Sequence, residues 1–210
     1  MNHIRQIQPT NQTDTYRKNN ITFASTWPTR GSVSGGTIIS LKGTGFEDTS
    51  ELSCQFGQNI IVSAVFVSST EISCSTPPSS TVSSVSLAVT VNGVDYSMSG
   101  AMFDYHKDST VESVHPWKGP STGGTIVLVS GENFVESEDL RCRFGKEEVL
   151  GRWISSKAIE CMSPMVSNDE SLNASSSLSV TLNGADYVES HARFQYYTNA
   201  EVLSILPSRK

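Results

Sequence analysis

Four cysteines are the residues whose type and spacing point most clearly to chemistry in this chain. They form two pairs of similar spacing, Cys54 with Cys74 and Cys142 with Cys161. Closing a loop of about twenty residues with a disulfide stabilises a domain by about 3 kcal/mol in the chain-entropy estimate. Because position and spacing repeat together, we predict one disulfide within each pair. Four reduced, buried thiols acting as small apolar side chains are the alternative.

The other side chains of the kinds used in catalysis and metal binding form no recognisable site. The chain contains no Cys-x2-Cys spacing, which would indicate a zinc site. The acidic segments 47–48 and 132–139 lack the spacing of a calcium-binding EF-hand loop. Segment 31–35 resembles a nucleophile elbow, but Val33 stands where the serine would act. The histidines, which the two halves do not place equivalently, are His3, His106, His115 and His191. The sequence therefore predicts no catalytic residue, no metal site and no cofactor.

The chain consists of two copies of one sequence pattern. Gly35-Gly36-Thr37 returns 88 residues later as Gly123-Gly124-Thr125, and an Asn-Gly-x-Asp-Tyr segment returns after 91 residues. A period near 90 residues is too long for a solenoid unit and suits a complete small domain. The cysteine pairs occupy equivalent positions in the two copies, so the repeated residues are those that build a fold.

Each copy is a series of short segments in which apolar and polar residues alternate between turn residues. Leu52, Cys54 and Phe56 alternate with polar residues, which places the cysteine on the buried face of a strand. The Asn-Gly pairs at 92–93 and 183–184 predict tight type I′ hairpins. No stretch of a dozen residues keeps a helical period. We predict an all-β chain of two tandem immunoglobulin-like (E-set type) antiparallel β-sandwiches.

The repeat also predicts the domain boundaries. Residues 199–210 resemble the opening strand of each copy, so we expect them to begin a truncated third repeat and the chain to be a fragment of an array. The expected organisation is a polar N-terminal segment at 1–20, a first domain at 21–107, a second domain at 108–198 and a partial third repeat at 199–210.

Charge and hydropathy narrow the classes of partner and location. The formal net charge is −6, which opposes binding to a nucleic-acid backbone. No run of 18 apolar residues is present, so we expect no membrane span in this chain. Disulfides form in oxidising compartments, so we predict an extracellular or cell-surface location, with any signal peptide or membrane span outside this fragment.

Three Asn-x-Ser/Thr sequons are candidate glycosylation sites. They begin at Asn11, Asn20 and Asn173. The composition is rich in serine and threonine, so about this number of sequons arises by chance. Asn173 is the best placed of the three, because it lies in a serine-rich segment between two predicted strands.

Two tryptophans are candidate interdomain contacts. Trp27 and Trp117 flank the proline at the start of each copy. Fewer than half a dozen residues, beginning at His106, join the copies, and they contain no glycine or proline. A short link limits flexing, so we predict a semi-rigid pair of modules placed end to end, with both tryptophans at junctions.

The ordered set of repeated residues resembles the IPT/TIG domain. This is the immunoglobulin-like module of plexins, the hepatocyte growth factor receptor, fibrocystin-type proteins and some transcription factors. The likeness covers about residues 21 to 198. Copy one shows Pro28, Gly31, Gly35-Gly36-Thr37, Gly43, Phe46, Cys54, Phe56-Gly57, Cys74, Pro77, Asn92-Gly93 and Phe103. Copy two shows Pro116, Gly119, Gly123-Gly124-Thr125, Gly131, Phe134, Cys142, Phe144-Gly145, Cys161, Pro164, Asn183-Gly184 and Phe194.

The resemblance implies a non-enzymatic function. The tandem, cysteine-bearing form is similar to the cell-surface branch of the family (plexin- and fibrocystin-like), which implies recognition, adhesion or a stalk role in a larger ectodomain. The implied partners are an unknown protein, a glycan as a further possibility, and neighbouring repeats of the same chain. Two alternatives stay open: an intracellular Rel-like module for dimerisation or DNA contact, and an accessory carbohydrate-binding domain of an extracellular enzyme.

Overall fold

The computed structural model describes residues 21–166 and 175–198, and these ranges contain sixteen strands and no helix. The predicted all-β class is therefore confirmed. The first module contains β1 (Thr22–Trp27), β2 (Arg30–Ser32), β3 (Ile38–Thr44), β4 (Ser53–Phe56), β5 (Ile60–Ser68), β6 (Glu71–Ser75), β7 (Ser84–Thr90) and β8 (Ser97–His106). The second contains β9 (Thr110–His115), β10 (Lys118–Pro120), β11 (Ile126–Glu132), β12 (Arg141–Phe144), β13 (Glu147–Ser155), β14 (Ala158–Met162), β15 (Ser175–Thr181) and β16 (Tyr187–Tyr197).

One strand in each module passes between the two layers of the sandwich. The strands of the first module are hydrogen-bonded in the order β1-β3-β6-β5-β4-β7-β8-β2. Residues 60–63 of β5 pair with β4, whereas residues from Ala64 onward pair with β6. The second module has the same arrangement, with β13 in the place of β5. Short strands β2 and β10 run parallel to β8 and β16 at one edge.

A disulfide joins the two layers at the centre of each module. Cys54 on β4 is bonded to Cys74 on β6, and Cys142 on β12 is bonded to Cys161 on β14. The Cα atoms of the pairs lie 6.4 and 6.2 Å apart, within the range that a disulfide spans. All four residues are buried, because the alternation that turns the half-buried polar residues of β4 and β12 outward turns the cysteines inward.

The loop that follows β7 differs from the tight hairpin that the Asn-Gly pair predicts. A type I′ turn needs positive φ at both central residues; Gly93 has a φ of 71°, but Asn92 does not lie in that region. The Oδ1 atom of Asn92 instead accepts hydrogen bonds from the backbone N–H groups of Val94 and Asp95, at 3.0 and 2.9 Å. The type I′ prediction is therefore wrong, because the asparagine side chain caps a longer loop.

Candidate interdomain interface

The linker between the modules contains one carboxylate, that of Asp108, and this group attaches the linker to the first module. β8 ends at His106 and β9 begins at Thr110. The hydroxyl groups of Ser32 and Ser34 donate hydrogen bonds to the two carboxylate oxygens of Asp108, the second at 2.6 Å. These bonds, that of Ser32 first, lower the pKa of Asp108, because they stabilise its charged form.

The same linker is attached to the second module through Asn133. Its side-chain amide donates to the carbonyl oxygen of Asp108 at 2.8 Å. Asn133 has a φ of 60°, in the left-handed region that asparagine tolerates better than most residues. The equivalent residue of the first module is Gly45, which has a φ of 80° and no side chain. The asparagine therefore keeps the loop conformation of the repeat and adds a bond to the linker.

Three direct hydrogen bonds connect the modules beside the linker. The amide of Asn183 donates to the carbonyl oxygen of Arg30 at 3.0 Å, and the guanidinium of Arg30 donates to the carbonyl oxygen of Glu136 at 2.7 Å. The hydroxyl of Thr37 donates to the carboxylate of Asp186 at 2.6 Å. We call Arg30 and Thr37 the junction face and residues 183–186 the junction loop.

Hydrogen bonds within the junction loop hold its shape, and the polar side chains on both sides of the contact are buried. The Oδ1 atom of Asn183 accepts from the backbone N–H groups of Ala185 and Asp186, and its amide donates to the Asp186 carboxylate at 2.9 Å. Thr37 and Asn183 are each only 2% exposed. Because a buried polar group without a hydrogen bond is costly, the contact is specific for partners that satisfy both side chains.

Trp27 borders the junction loop. A Cβ atom at Gly184 would lie 3.2 Å from Cζ2 of the indole, and Gly184 has a φ of 74°. A larger residue there would therefore be strained and would crowd the ring. The indole remains 51% exposed, so it covers the edge of the contact rather than its centre.

Trp117 lies on the second module at the position equivalent to Thr29, 88 residues earlier. It is 53% exposed, and the ammonium of Lys118 lies 5.2 Å from its ring centroid. The junction contacts described above do not include it. Its predicted role as an interdomain contact stays a prediction.

Two concave regions accompany the junction. A small cavity of about 120 Å³ lies between the modules beside the linker, and Leu182 and Val188 form much of its apolar wall. An open groove of about 470 Å³ lies between Arg30 and the acidic segment 136–139. Within residues 21–166 and 175–198, no group of three or more histidine, cysteine, aspartate or glutamate residues could hold a metal ion. The geometry supports binding between modules.

Several sequence predictions lie outside the described residues. These are the candidate glycosylation sites Asn11, Asn20 and Asn173, the N-terminal segment 1–20 and the third-repeat segment 199–210. They stay predictions. In the part of the chain that the structure covers, no helix is both long and apolar enough to cross a bilayer.

The residues that form hydrogen bonds across the junction are not those chosen from the sequence. Asp186 follows Asn-Gly as Asp95 does in the first copy, and from the sequence alone this position is typical of a turn cap. Its carboxylate does accept within the loop, but it also accepts from Thr37 of the other module, 149 residues away. The repeat of Asn-x-x-Asp was the available signal, and only the structure shows that it faces a neighbouring module.

Comparison with known proteins places both modules in one family. The family model described as "IPT/TIG domain" matches residues 21–105 and 109–196. Plexin-2 of Caenorhabditis briggsae is 34% identical over 116 residues, which are 54% of this chain and 6% of that protein. A probable serine/threonine-protein kinase drkC of Dictyostelium discoideum is 30% identical over 101 residues, which are 47% of this chain and 14% of that protein.

Among solved structures, the full extracellular region of plexin A4 shares the fold. It aligns with a TM-score of 0.54 and 20% identity, over 85% of this chain and 16% of that chain. The chain therefore spans less than a fifth of the length of these relatives. The similarity concerns the modules and not the whole proteins.

Proposed function

Because the chain belongs to the IPT/TIG domain family, with two tandem copies, we propose that it is a non-enzymatic extracellular binding and structural module pair. It is part of a larger cell-surface or secreted protein and acts in recognition, in adhesion or as a semi-rigid stalk. Its partners are proteins and neighbouring modules of the same chain. The expected domain boundaries at 21–107 and 108–198 belong to this proposal.

The disulfides support the location. Both lie in the core and join the two layers, so they stabilise modules of about 90 residues that bury a limited core. Structural disulfides persist in oxidising compartments and are rare in the cytosol. All cysteines of the described residues are used in this way, and no free thiol remains there for catalysis.

The junction is the observation that carries the structural part of the proposal. The linker is hydrogen-bonded to both modules through Asp108, and the junction loop is bonded to Arg30 and Thr37. An interface between domains that has few specific contacts permits motion. Here the short linker and the buried polar side chains of the contact restrict the relative orientation of the two modules. A semi-rigid stalk requires such a restriction.

An exposed apolar strand supports a protein partner. Ile61, Val65 and Val67 lie on the outer face of β5 and are exposed. On the equivalent strand of the second module, the same face exposes Leu150 and Ile154 but is interrupted by Arg152, which is paired with Glu160. Because apolar side chains clustered on a surface favour protein contacts, we assign the recognition surface to this face of the first module.

Counting thiols tests the proposed location. Protein isolated from its native source is denatured without reductant and its free thiols are counted. We expect none in the described modules, because all four cysteines form disulfides. Four free thiols, with the protein still folded before denaturation, would contradict an extracellular function. Recombinant protein that is denatured and fully reduced, and from which the reductant is then removed, serves as the control for complete detection of the four thiols.

A further inference from the structure

The second module repeats the junction face that the first module uses. Lys118 and Thr125 stand 88 residues after Arg30 and Thr37. β10, which carries Lys118, pairs with β16 as β2 pairs with β8. A Cβ atom on Gly119 would contact the Thr125 hydroxyl, just as one on the glycine that follows Arg30 would contact the Thr37 hydroxyl. The two hydroxyl groups therefore have the same place in their modules.

The two copies of this face differ in what covers them. Thr37 is buried by the junction loop of the second module, whereas Thr125 is only half-buried. Arg30 is half-buried and Lys118 is exposed. Since backbone and side-chain positions correspond, the difference arises from the presence of a neighbouring module on one face.

The junction loop is likewise a property of each module. In the first module Asn92 accepts from the backbone N–H groups of Val94 and Asp95, and its amide donates to the Asp95 carboxylate at 3.0 Å. The second loop makes the same set of bonds. Asn92 is exposed, whereas Asn183 is buried against Arg30. The two loops therefore have the same internal hydrogen bonds, although only Asn183 is buried against a junction face.

The side chains around Thr125 suit a polar, acidic loop. Trp117 replaces Thr29, which in the first module lines the groove against segment 136–139. With Lys118 over its ring, Trp117 provides a large flat surface beside a positive charge. Tryptophan is frequent at the centre of binding interfaces, and a cation at this edge complements the carboxylate of an Asn-x-x-Asp loop.

We propose that Trp117, Lys118 and Thr125 bind the Asn-x-x-Asp loop of a further IPT/TIG module that follows in the same polypeptide. The Thr125 hydroxyl donates to the aspartate carboxylate of that loop, and the asparagine amide donates to the carbonyl oxygen of Lys118. The Lys118 ammonium donates to a backbone carbonyl of the incoming module. This inference rests on the proposed stalk function and extends the head-to-tail contact to the next module.

A three-module chain tests the docking. A second copy of residues 110–198 is joined in place of residues 201–210, so the natural linker length is kept. Acylation of Lys118 is followed by mass spectrometry, with the exposed Lys146 as internal reference. We expect the Lys118 of the second module to react at least threefold more slowly, relative to Lys146, in the three-module chain than in the original chain.

Three variants separate docking from an indirect effect. In the added module, Asp186→Asn removes the accepting charge and should restore the reactivity of Lys118. Glu189→Gln makes the same charge change away from the junction loop and should not. Thr125→Val in the second module removes the donating hydroxyl with little change of shape, and it should also restore reactivity without any change in the added module.

The reactivity of Arg30 towards phenylglyoxal distinguishes a failure of the docking inference from a failure of the proposed stalk function. If Arg30 stays protected relative to Arg152 but Lys118 reacts equally in both chains, the docking inference is wrong and the stalk function stands. If Arg30 reacts as fast as Arg152, the junction between the first two modules is itself open. The template for docking is then lost, and both proposals fail.

Discussion

At the scale of single residues, Asn133 has two roles. Its backbone adopts a positive φ, and its side chain contacts the linker. Its positive φ repeats that of Gly45, and its amide reaches the carbonyl oxygen of Asp108. A glycine would satisfy the first role and not the second. Alanine would satisfy neither, because it lacks both the conformational freedom of glycine and the polar side chain of asparagine, and it is strained in the left-handed region by about 1–2 kcal/mol.

Two substitutions of Asn133 separate these roles. We expect Asn133→Gly to change the free energy of unfolding of the second module by less than about 1 kcal/mol. Asn133→Ala should lower it by about 1 kcal/mol more, because the strain is then added. Urea unfolding measures the difference. Equal stability of the two variants would show that the backbone at this position is not strained.

Each cysteine pair should contribute separately to the stability of its own module. We expect Cys54→Ala with Cys74→Ala to lower the free energy of unfolding of the first module by about 2–4 kcal/mol, because the unfolded chain regains freedom. The matched pair, Cys142→Ala with Cys161→Ala, should act on the second module. Urea unfolding followed by NMR resolves the modules. A loss confined to the wrong module would contradict the pairing within modules.

At the scale of elements, sequence pattern predicts what is local and repeated. Alternation in β4 identified Cys54 and Phe56 as buried, and their burial in the structure agrees. The junction contact could not be predicted, because Thr37 and Asp186 belong to different modules and no periodicity connects them. The Asn-Gly pair misled for a related reason: the asparagine side chain forms hydrogen bonds with the loop backbone, and this competes with the simple type I′ turn.

The linker element should respond to acid. The pKa of Asp108 is lowered in the folded chain, so its contribution is fully present above the ordinary aspartate pKa of about 3.9 and is lost as the pH falls through the lower, folded value. We expect Asp108→Asn to lower Tm by about one to three degrees at pH 6, since an exposed carboxylate is screened by water.

Thermal unfolding of both proteins between pH 7 and pH 2 checks this dependence. The difference in Tm between Asp108→Asn and the unchanged protein should shrink below about pH 3.9 and disappear at the acid end, where the carboxyl group is neutral. A difference that stays constant over the whole range would show that the charge of Asp108 does not hold the linker.

At the scale of the whole molecule, duplication produces two modules whose ends are complementary. Each carries a junction face at one end and a junction loop at the other, and the face of the first module binds the loop of the second. The contact is head-to-tail, so it can be repeated without closing. In the proposed stalk, orientation between modules would therefore follow from the residues within each module, and the same contact would repeat with each further copy.

A measurement of the distance between the modules is the most direct test of whether the junction holds them in one orientation. Spin labels are placed on the equivalent exposed turns, at Gln58 and Lys146, through non-natural amino acids that leave the disulfides intact. A second pair, at Gln58 and Thr70, lies within one module and gives the width that the labels alone produce. Pulsed electron resonance then gives both distance distributions.

We expect the distribution between modules to be as narrow as the one within a module, and to broaden in Thr37→Val and in Asp186→Asn but not in Glu189→Gln. A broad distribution in the unchanged protein, insensitive to these substitutions, would contradict the claim that the junction holds the two modules in one orientation.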